Sequence, residues 1–293
     1  MKFATILFDG NEIASIVTDF GYLPIPFINH RFKKKWPHNL FSIFTENKLD
    51  EIKSWFYQNS VTLSQELKEL AIQKELIHFA PLYRRPRKIW GIGLNYEAHA
   101  KDLSEKAPTS EPASFMKPDT TIIGFNDTIK IPLISERTTG EAELGLIIGK
   151  KCKDVKREEW SSVVAGFTAV IDMTAEDILR RNPRFLTQAK SFDTFFSFGP
   201  IFYTIDEVKD VSSLQVQTII NGKIYAENIV ANMTFPPDFL VSYHSQIMTL
   251  LPGDIISTGT PGASPLKNGD IIECRICGFQ PLRNNVIDLK SKE

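Results

Sequence analysis

The chain has 293 residues, 42% of them hydrophobic and 24% charged, and its 34 basic and 35 acidic side chains leave a formal net charge of -1. That length can bury a substantial core in one large domain or in a large and a small one. The nearly cancelled charge gives no global field for nucleic acid or an anionic membrane, and favours a small or locally recognised ligand.

The opening MKFATILFDG reaches Asp9 after an apolar run too short for a signal-peptide core, and no later run approaches a membrane span. A cytoplasmic protein is therefore expected. Residues 3–8 and 13–17 read as strands around the turn Asp9-Gly10-Asn11, an opening hairpin. The run 31–38, RFKKKWPH, is the one basic cluster and reads as a solvated loop. Leu49, Ile52, Trp55 and Phe56 then share a helical face, and Leu63, Leu67, Leu70, Ile72 and Leu76 continue a helical pattern up to His78. The prolines and charges of residues 81–88, PLYRRPRK, break that pattern and read as a linker. The expected division is a small N-terminal α+β domain over 1–84 and a second domain over 85–293.

Beyond the linker the texture changes to short apolar runs, with Asn221-Gly222 and Asn268-Gly269 as hairpin signals. One helix is expected near residues 174–181, where Thr174 and Asp177 stand at the spacing of a capping box. The three cysteines, Cys152, Cys274 and Cys277, cannot all pair, which fits a reducing compartment. Cys274 and Cys277 lack a second pair and read as plain strand residues.

In GEAELGLIIGK, residues 140–150, Ala142, Leu144, Leu146 and Ile148 alternate with Glu141, Glu143 and Gly145, so both glutamates point to one face of a strand. Alone, that is the pattern of an ordinary solvent face. Asp172 differs, because it stands near the end of the almost wholly apolar run 164–173, where an unpartnered charge would be costly. It needs a cation. Three carboxylates without Cys or His would make a hard oxygen site, suited to Mg2+, Mn2+ or Ca2+. Spacing does not decide whether Asp172 converges on the glutamates.

His99 stands three residues before Asp102, a spacing at which a carboxylate can orient an imidazole as a general base. A surface His beside a surface Asp is the commoner arrangement. His30, His38, His78 and His244 read as structural or surface residues. Lys190 and Asp193 in AKSFDTFFSFGP are open to two readings, a salt-bridged loop or a lysine that neutralises an anionic substrate. The loop STGTPGAS, residues 257–264, offers N–H groups and hydroxyls to an oxyanion, and by itself is also only a turn.

Taken in order, KIWGIGLNYEAHAKD, FMKPDTTIIG, GEAELGLIIGKKCKDV, AGFTAVIDMTAED, AKSFDTFFSFGP, INGK and MTLLPGDIISTGTPG resemble the fumarylacetoacetate hydrolase family. The resemblance runs from about Arg87 to the end of the chain. It implies an α+β, mainly β fold: the mixed β-roll of the family's C-terminal domain behind a small, variable N-terminal domain, in a homodimer. It further implies a divalent metal, usually Mg2+, on Glu141, Glu143 and Asp172, and a lid carrying His99. Asp102 would pair with His99 where family members typically have Glu. Lys190 matches the family's active-site lysine, while Lys117, Gly259 and Thr260 fall at its substrate-contacting motifs.

Three departures stand out. The loop after TGTP is one residue shorter and reads Gly262-Ala263-Ser264. Thr174-Ala175-Glu176-Asp177-Ile178-Leu179 replaces a common S-A-R-D-L-Q, and Gln188 stands where Arg is frequent. Together they remove positive charge near the expected pocket and weigh against the family's usual dicarboxylate substrates.

The expected reaction is metal-dependent hydrolysis of a carbon-carbon bond in a 1,3-diketone or acylpyruvate-type 2-oxo acid, through a metal-bound enolate. His99 and Asp102 would activate the water and Lys190 would serve substrate charge. The alternatives are decarboxylation or isomerisation of a 2-oxo diacid on the same site and, from another class, a catalytically silent metal-binding relative. A small-molecule substrate is expected, with neither nucleic acid nor membrane as partner.

Overall fold

The structure, a computed structural model, describes residues 1–97 and 108–291. Its strands, in chain order, are β1 (Lys2–Phe8), β2 (Asn11–Thr18), β3 (Gly21–Pro24), β4 (Ile89–Gly93), β5 (Ala113–Lys117), β6 (Ile122–Ile123), β7 (Thr128–Ile131) and β8 (Thr138–Ile148). There follow β9 (Val164–Ala175), β10 (Phe196–Thr204), β11 (Gln215–Ile220), β12 (Lys223–Ile229), β13 (Ile255–Ser257), β14 (Ser264–Pro265), β15 (Ile271–Ile276) and β16 (Leu282–Asp288). They form two sheets. The larger runs β3-β2-β1-β10-β9-β8-β13-β4-β5, with β14 paired to β8 and β6 to β10. The smaller runs β12-β11-β15-β16-β7 and contains both parallel and antiparallel pairs. The protein is mainly β with mixed sheets.

The opening hairpin forms as expected: Asp9 and Gly10 both take positive φ, 48° and 72°, the two-residue turn whose twist suits adjoining strands. Its first strand then joins the rest of the chain, pairing Lys2 with Tyr203 and Ala4 with Ile201 on β10. Four helices cross behind it: α1 (Ile25–Phe32), α2 (Leu40–Thr45), α3 (Leu49–Asn59) and α4 (Ser64–Leu70). The helical pattern over residues 63–76 is cut short. Ile72 exchanges backbone bonds of 2.8 and 2.9 Å with Tyr22, and that bridge pulls the chain into extended geometry at Ala71. The basic run 31–38 is not wholly solvated, for Trp36 is buried and donates to Glu51 while Lys34 lies over the rings of Trp36 and Trp55. Residues 81–88 carry no regular element, yet Leu82 and Tyr83 are buried.

Two later expectations also change. Asn221 and Gly222 turn β11 into β12, both at positive φ. The turn at Asn268-Gly269 instead leads from β14, which pairs with β8, into β15, which pairs with β11 and β16, so it joins strands that are not partners. The helix near 174–181 begins only at Glu176, as α5 (Glu176–Arg181), because Thr174 and Ala175 still belong to β9. Its Ala175 N-cap makes no side-chain cap bond, so the predicted capping box does not form. Cys274 is buried on β15 and Cys277 exposed beyond its end.

What positions the site is that β8 and β9 are buried along their whole length on both faces. On one face Ala142, Leu144, Leu146 and Ile148 pack with Val216, Ile272 and Ile276 of the smaller sheet. On the other, Ile147 and Val170 join Phe198, Phe202 and the N-terminal helices through Ile28, Phe44 and Ile52. The glutamates lie on this second face, so their face is not turned to solvent.

Candidate active site

Period-two alternation puts Thr139, Glu141 and Glu143 on one side of β8, and the register pairs Glu141 with Asp172 and Thr139 with Thr174 across the ladder. Asp172 therefore does converge on the glutamates. One carboxylate oxygen from each of Glu141, Glu143 and Asp172 lies within 4.8 Å of the others, and the three side chains are 7%, 1% and 1% exposed.

Two lysines offset part of the negative charge of this cluster. Lys190, the last residue of α6 (Leu186–Lys190), donates to Glu141 Oε2 at 2.9 Å and to Asp172 Oδ2 at 2.6 Å. Lys117, at the end of β5, has its ammonium 2.7 Å from Asp172 Oδ1 and also donates to the Lys190 and Met173 carbonyls. Burial alone would drive protons off both lysines. For Lys190, which remains above the usual lysine range, the charges of Asp172 and Glu141 overcome burial, whereas for Lys117 burial wins and the value falls. The Lys190 ammonium also lies 4.8 Å from the centre of the Phe115 ring.

Each glutamate is held by neutral donors as well. Glu141 Oε1 accepts from the Thr174 hydroxyl at 2.6 Å and the Thr139 hydroxyl at 3.1 Å. Glu143 Oε2 accepts from the Ser257 hydroxyl at 2.5 Å and the Gly259 N–H at 2.8 Å. Burial, followed by the charge of Asp172, pushes the Glu143 carboxyl above the ordinary range. The Gly259 loop is anchored from beneath by Asn95, whose amide bonds Thr258 and both polar backbone groups of Phe235.

The predicted residues thus divide. Glu141, Glu143, Asp172, Lys190 and Lys117 meet in one buried cluster, Gly259 touches it through its backbone, and the Thr260 hydroxyl bonds Gly262. Asp193 has no contact with the cluster among the bonds described. His99, Asp102 and the lid expected to carry them lie outside the described residues. Sequence reasoning missed Thr139, Thr174 and Asn95 as site residues, and marked Ser257 only as part of the loop 257–264. Thr139 and Thr174 were findable, since each stands two positions from a carboxylate and so on its face. Nothing local marks Asn95, whose partners come from distant loops.

A mixed, mainly β fold with a buried oxygen cluster on its central ladder is the setting in which the relatives of this chain can be considered. Residues 88–287 match the model for the fumarylacetoacetate (FAA) hydrolase C-terminal domain, and the chain belongs to that family. It is 44% identical over 207 residues to an uncharacterized protein of Methanocaldococcus jannaschii, covering 70% of this chain and 84% of that one. It is 35% identical over 245 residues to human mitochondrial oxaloacetate tautomerase FAHD2A, covering 78% and 77%. Among solved structures it resembles maleylpyruvate hydrolase from Sphingobium sp. SYK-6 in complex with manganese (II) ion and pyruvate. That match has a TM-score of 0.77 and 26% identity over 98% of this chain and 99% of that one. Among the described residues, no helix is long and apolar enough to cross a membrane.

Proposed function

We propose that this chain is a divalent-cation-dependent enzyme that interconverts the keto and enol forms of a 2-oxo acid, with an oxaloacetate-like 2-oxo diacid as its substrate class. The observation that carries the reading is the buried, oxygen-only triad of Glu141, Glu143 and Asp172, closed by two lysines. The donors, all carboxylate oxygens, suit a hard cation such as Mg2+ or Mn2+. When bound, the cation stabilises negative charge developing on the substrate's 2-oxo oxygen.

The chain's own residues do the rest. Lys190 keeps its proton and bridges Glu141 and Asp172, while adding positive charge for an anionic substrate. Lys117 fixes the second oxygen of Asp172. Ser257 and Gly259 fix Glu143, and Thr260 stands next along that loop for a substrate carboxylate. His99 would move the proton at carbon, with Asp102 as its expected partner. The named tautomerase relative supports this choice of reaction.

Carbon-carbon hydrolysis of an acylpyruvate is the second reading, favoured by the likeness to maleylpyruvate hydrolase. It needs the same charge stabilisation and adds a water activated by His99. The intact triad argues against a silent relative.

The test follows the ultraviolet band of enol-oxaloacetate and, separately, the loss of an acylpyruvate, with Mg2+ or Mn2+ and with EDTA. Wild type should speed enol decay only with the cation, and Asp172→Asn should lose more than about a hundredfold of that rate and all Mg2+-dependent thermal stabilisation. Turnover that ignores EDTA, or survives in Asp172→Asn, would refute it.

A further inference from the structure

The opening hairpin turns one face toward the N-terminal helices, and its register sets Phe3, Thr5 and Leu7 of β1 on that face opposite Ile16, Ala14 and Glu12 of β2. Toward the turn the face is not filled. A cavity of about 350 Å³ lies there, walled by Thr5 and Glu12, by the start of α2, and by residues 82–85 on their way to β4. Phe41, Leu82 and Tyr83 give it apolar surface, and its charged lining residues are Glu12, Arg84 and Arg85. Arg84 is spent on Glu12, with Nε and Nη2 each 2.7 Å from Oε1. Arg85 is exposed and makes no hydrogen bond or ion pair with a described residue, so the cavity keeps the charge of one guanidinium. The remaining groups are donors too. Asn39 uses its side-chain oxygen to accept from the Ser42 N–H at 2.8 Å, which leaves its amide N–H groups and the Ser42 hydroxyl to a ligand. None of these residues belongs to the triad cluster.

We propose that this cavity is a second ligand site, separate from the triad, and that it binds a phosphate monoester carried on a small apolar body. A phosphate brings close to two negative charges and three strong acceptor oxygens. That number matches a free guanidinium fork, an amide and a hydroxyl better than the two oxygens of a carboxylate do, and the fork can make paired bonds that an ammonium cannot. Phe41, Leu82 and Tyr83 take the body of the ester, in the usual division of a small-molecule site into apolar walls and a few orienting polar groups. The occupant joins three segments far apart in the chain: the hairpin, α2 and the approach to β4. It also borders the catalytic half. The Phe41 ring lies against Gly253, two positions before β13, where a Cβ would come within 2.6 Å of it, and β13 carries Ser257.

The full chain is held in EDTA at fixed ionic strength, so that the anionic triad has no cation with which to draw a phosphate. It is then titrated by calorimetry with phenyl phosphate and, in parallel, with benzoate. Wild type should take up one phenyl phosphate, at least about tenfold more tightly than benzoate, and should melt at a higher temperature in its presence. Arg85→Met should weaken binding by about tenfold to a hundredfold, the range for hydrogen bonds to a charged group. Arg85 is exposed, so this variant should fold. Ser42→Asp sets a carboxylate among the donors and should abolish binding. Arg87→Met removes an equal charge from the same exposed segment, outside the cavity wall, and should leave the affinity alone. No saturable binding in wild type, equal affinity for benzoate, an unchanged constant in Arg85→Met or Ser42→Asp, or an equal loss in Arg87→Met would each overturn the assignment.

Discussion

Gly259 shows how much of the site depends on a single backbone. It takes φ +94°, and a Cβ there would come within 2.8 Å of the Asn95 Cβ and 2.9 Å of the Ile92 carbonyl oxygen. Neither neighbour is the loose end of a side chain, so the loop would have to move, and its N–H bond to Glu143 with it. Gly259→Ala should weaken Mn2+ binding by about 10-fold to 100-fold, the usual cost of disturbing groups behind a metal ligand, and should lower the melting temperature. Calorimetric titration with Mn2+ decides the point, and an unaltered dissociation constant would remove the loop from any part in holding Glu143. The same logic explains Thr174. Its hydroxyl is spent on Glu141 rather than on a helix cap, because a buried carboxylate oxygen is the more demanding partner.

At the level of elements, α5 is tied to β8 by Asp177, not by the capping box that its sequence suggests. Burial raises the Asp177 carboxyl, but the N–H groups of Glu136 and Arg137 and the Ser135 hydroxyl outweigh it and hold the group below the ordinary range. The folded state therefore binds this proton less tightly than the unfolded chain. The clasp stabilises above about pH 4 and its contribution disappears as pH falls below that value. Asp177→Asn should lower stability at pH 7 by about 1 kcal/mol, an amount limited by partial exposure. Melting curves of the two proteins should converge as the solution is acidified below about pH 4. A gap that persists in acid would mean that Asp177 acts through packing.

For the whole molecule, the first strand lies only one strand away from the ladder that carries the triad, since β1 pairs with β10, β10 with β9 and β9 with β8. The N-terminal helices bury Ile147 and Val170, which lie on the strands that carry Glu143 and Asp172. A chain restricted to residues 85–293 would expose the β10 edge together with Phe198 and Phe202, an invitation to edge-to-edge association. It should be recovered as aggregate, or as a species without a cooperative melting transition, by gel filtration and calorimetry. If it is instead monomeric, melts cooperatively and binds Mn2+ as the full chain does, residues 1–84 are an independent domain.

The sequence by itself determined what depends on local period. The opening hairpin follows from its Asp-Gly turn, the helix over 49–59 from its apolar face, and the shared face of Glu141 and Glu143 from alternation along one strand. The buried run around Asp172 further announced a charge in need of a partner, and the ordered motifs announced the family. Only the tertiary structure decided which strands became neighbours. The pairing of β8 with β9 brought Asp172 to the glutamates, and the Tyr22 bridge ended a helix whose apolar spacing ran on. Packing of the smaller sheet and the N-terminal helices on opposite faces turned an apparent solvent face into a buried one. Alternation fixes the direction of a side chain relative to its own strand, but its partners are chosen by burial and register between segments far apart in the chain.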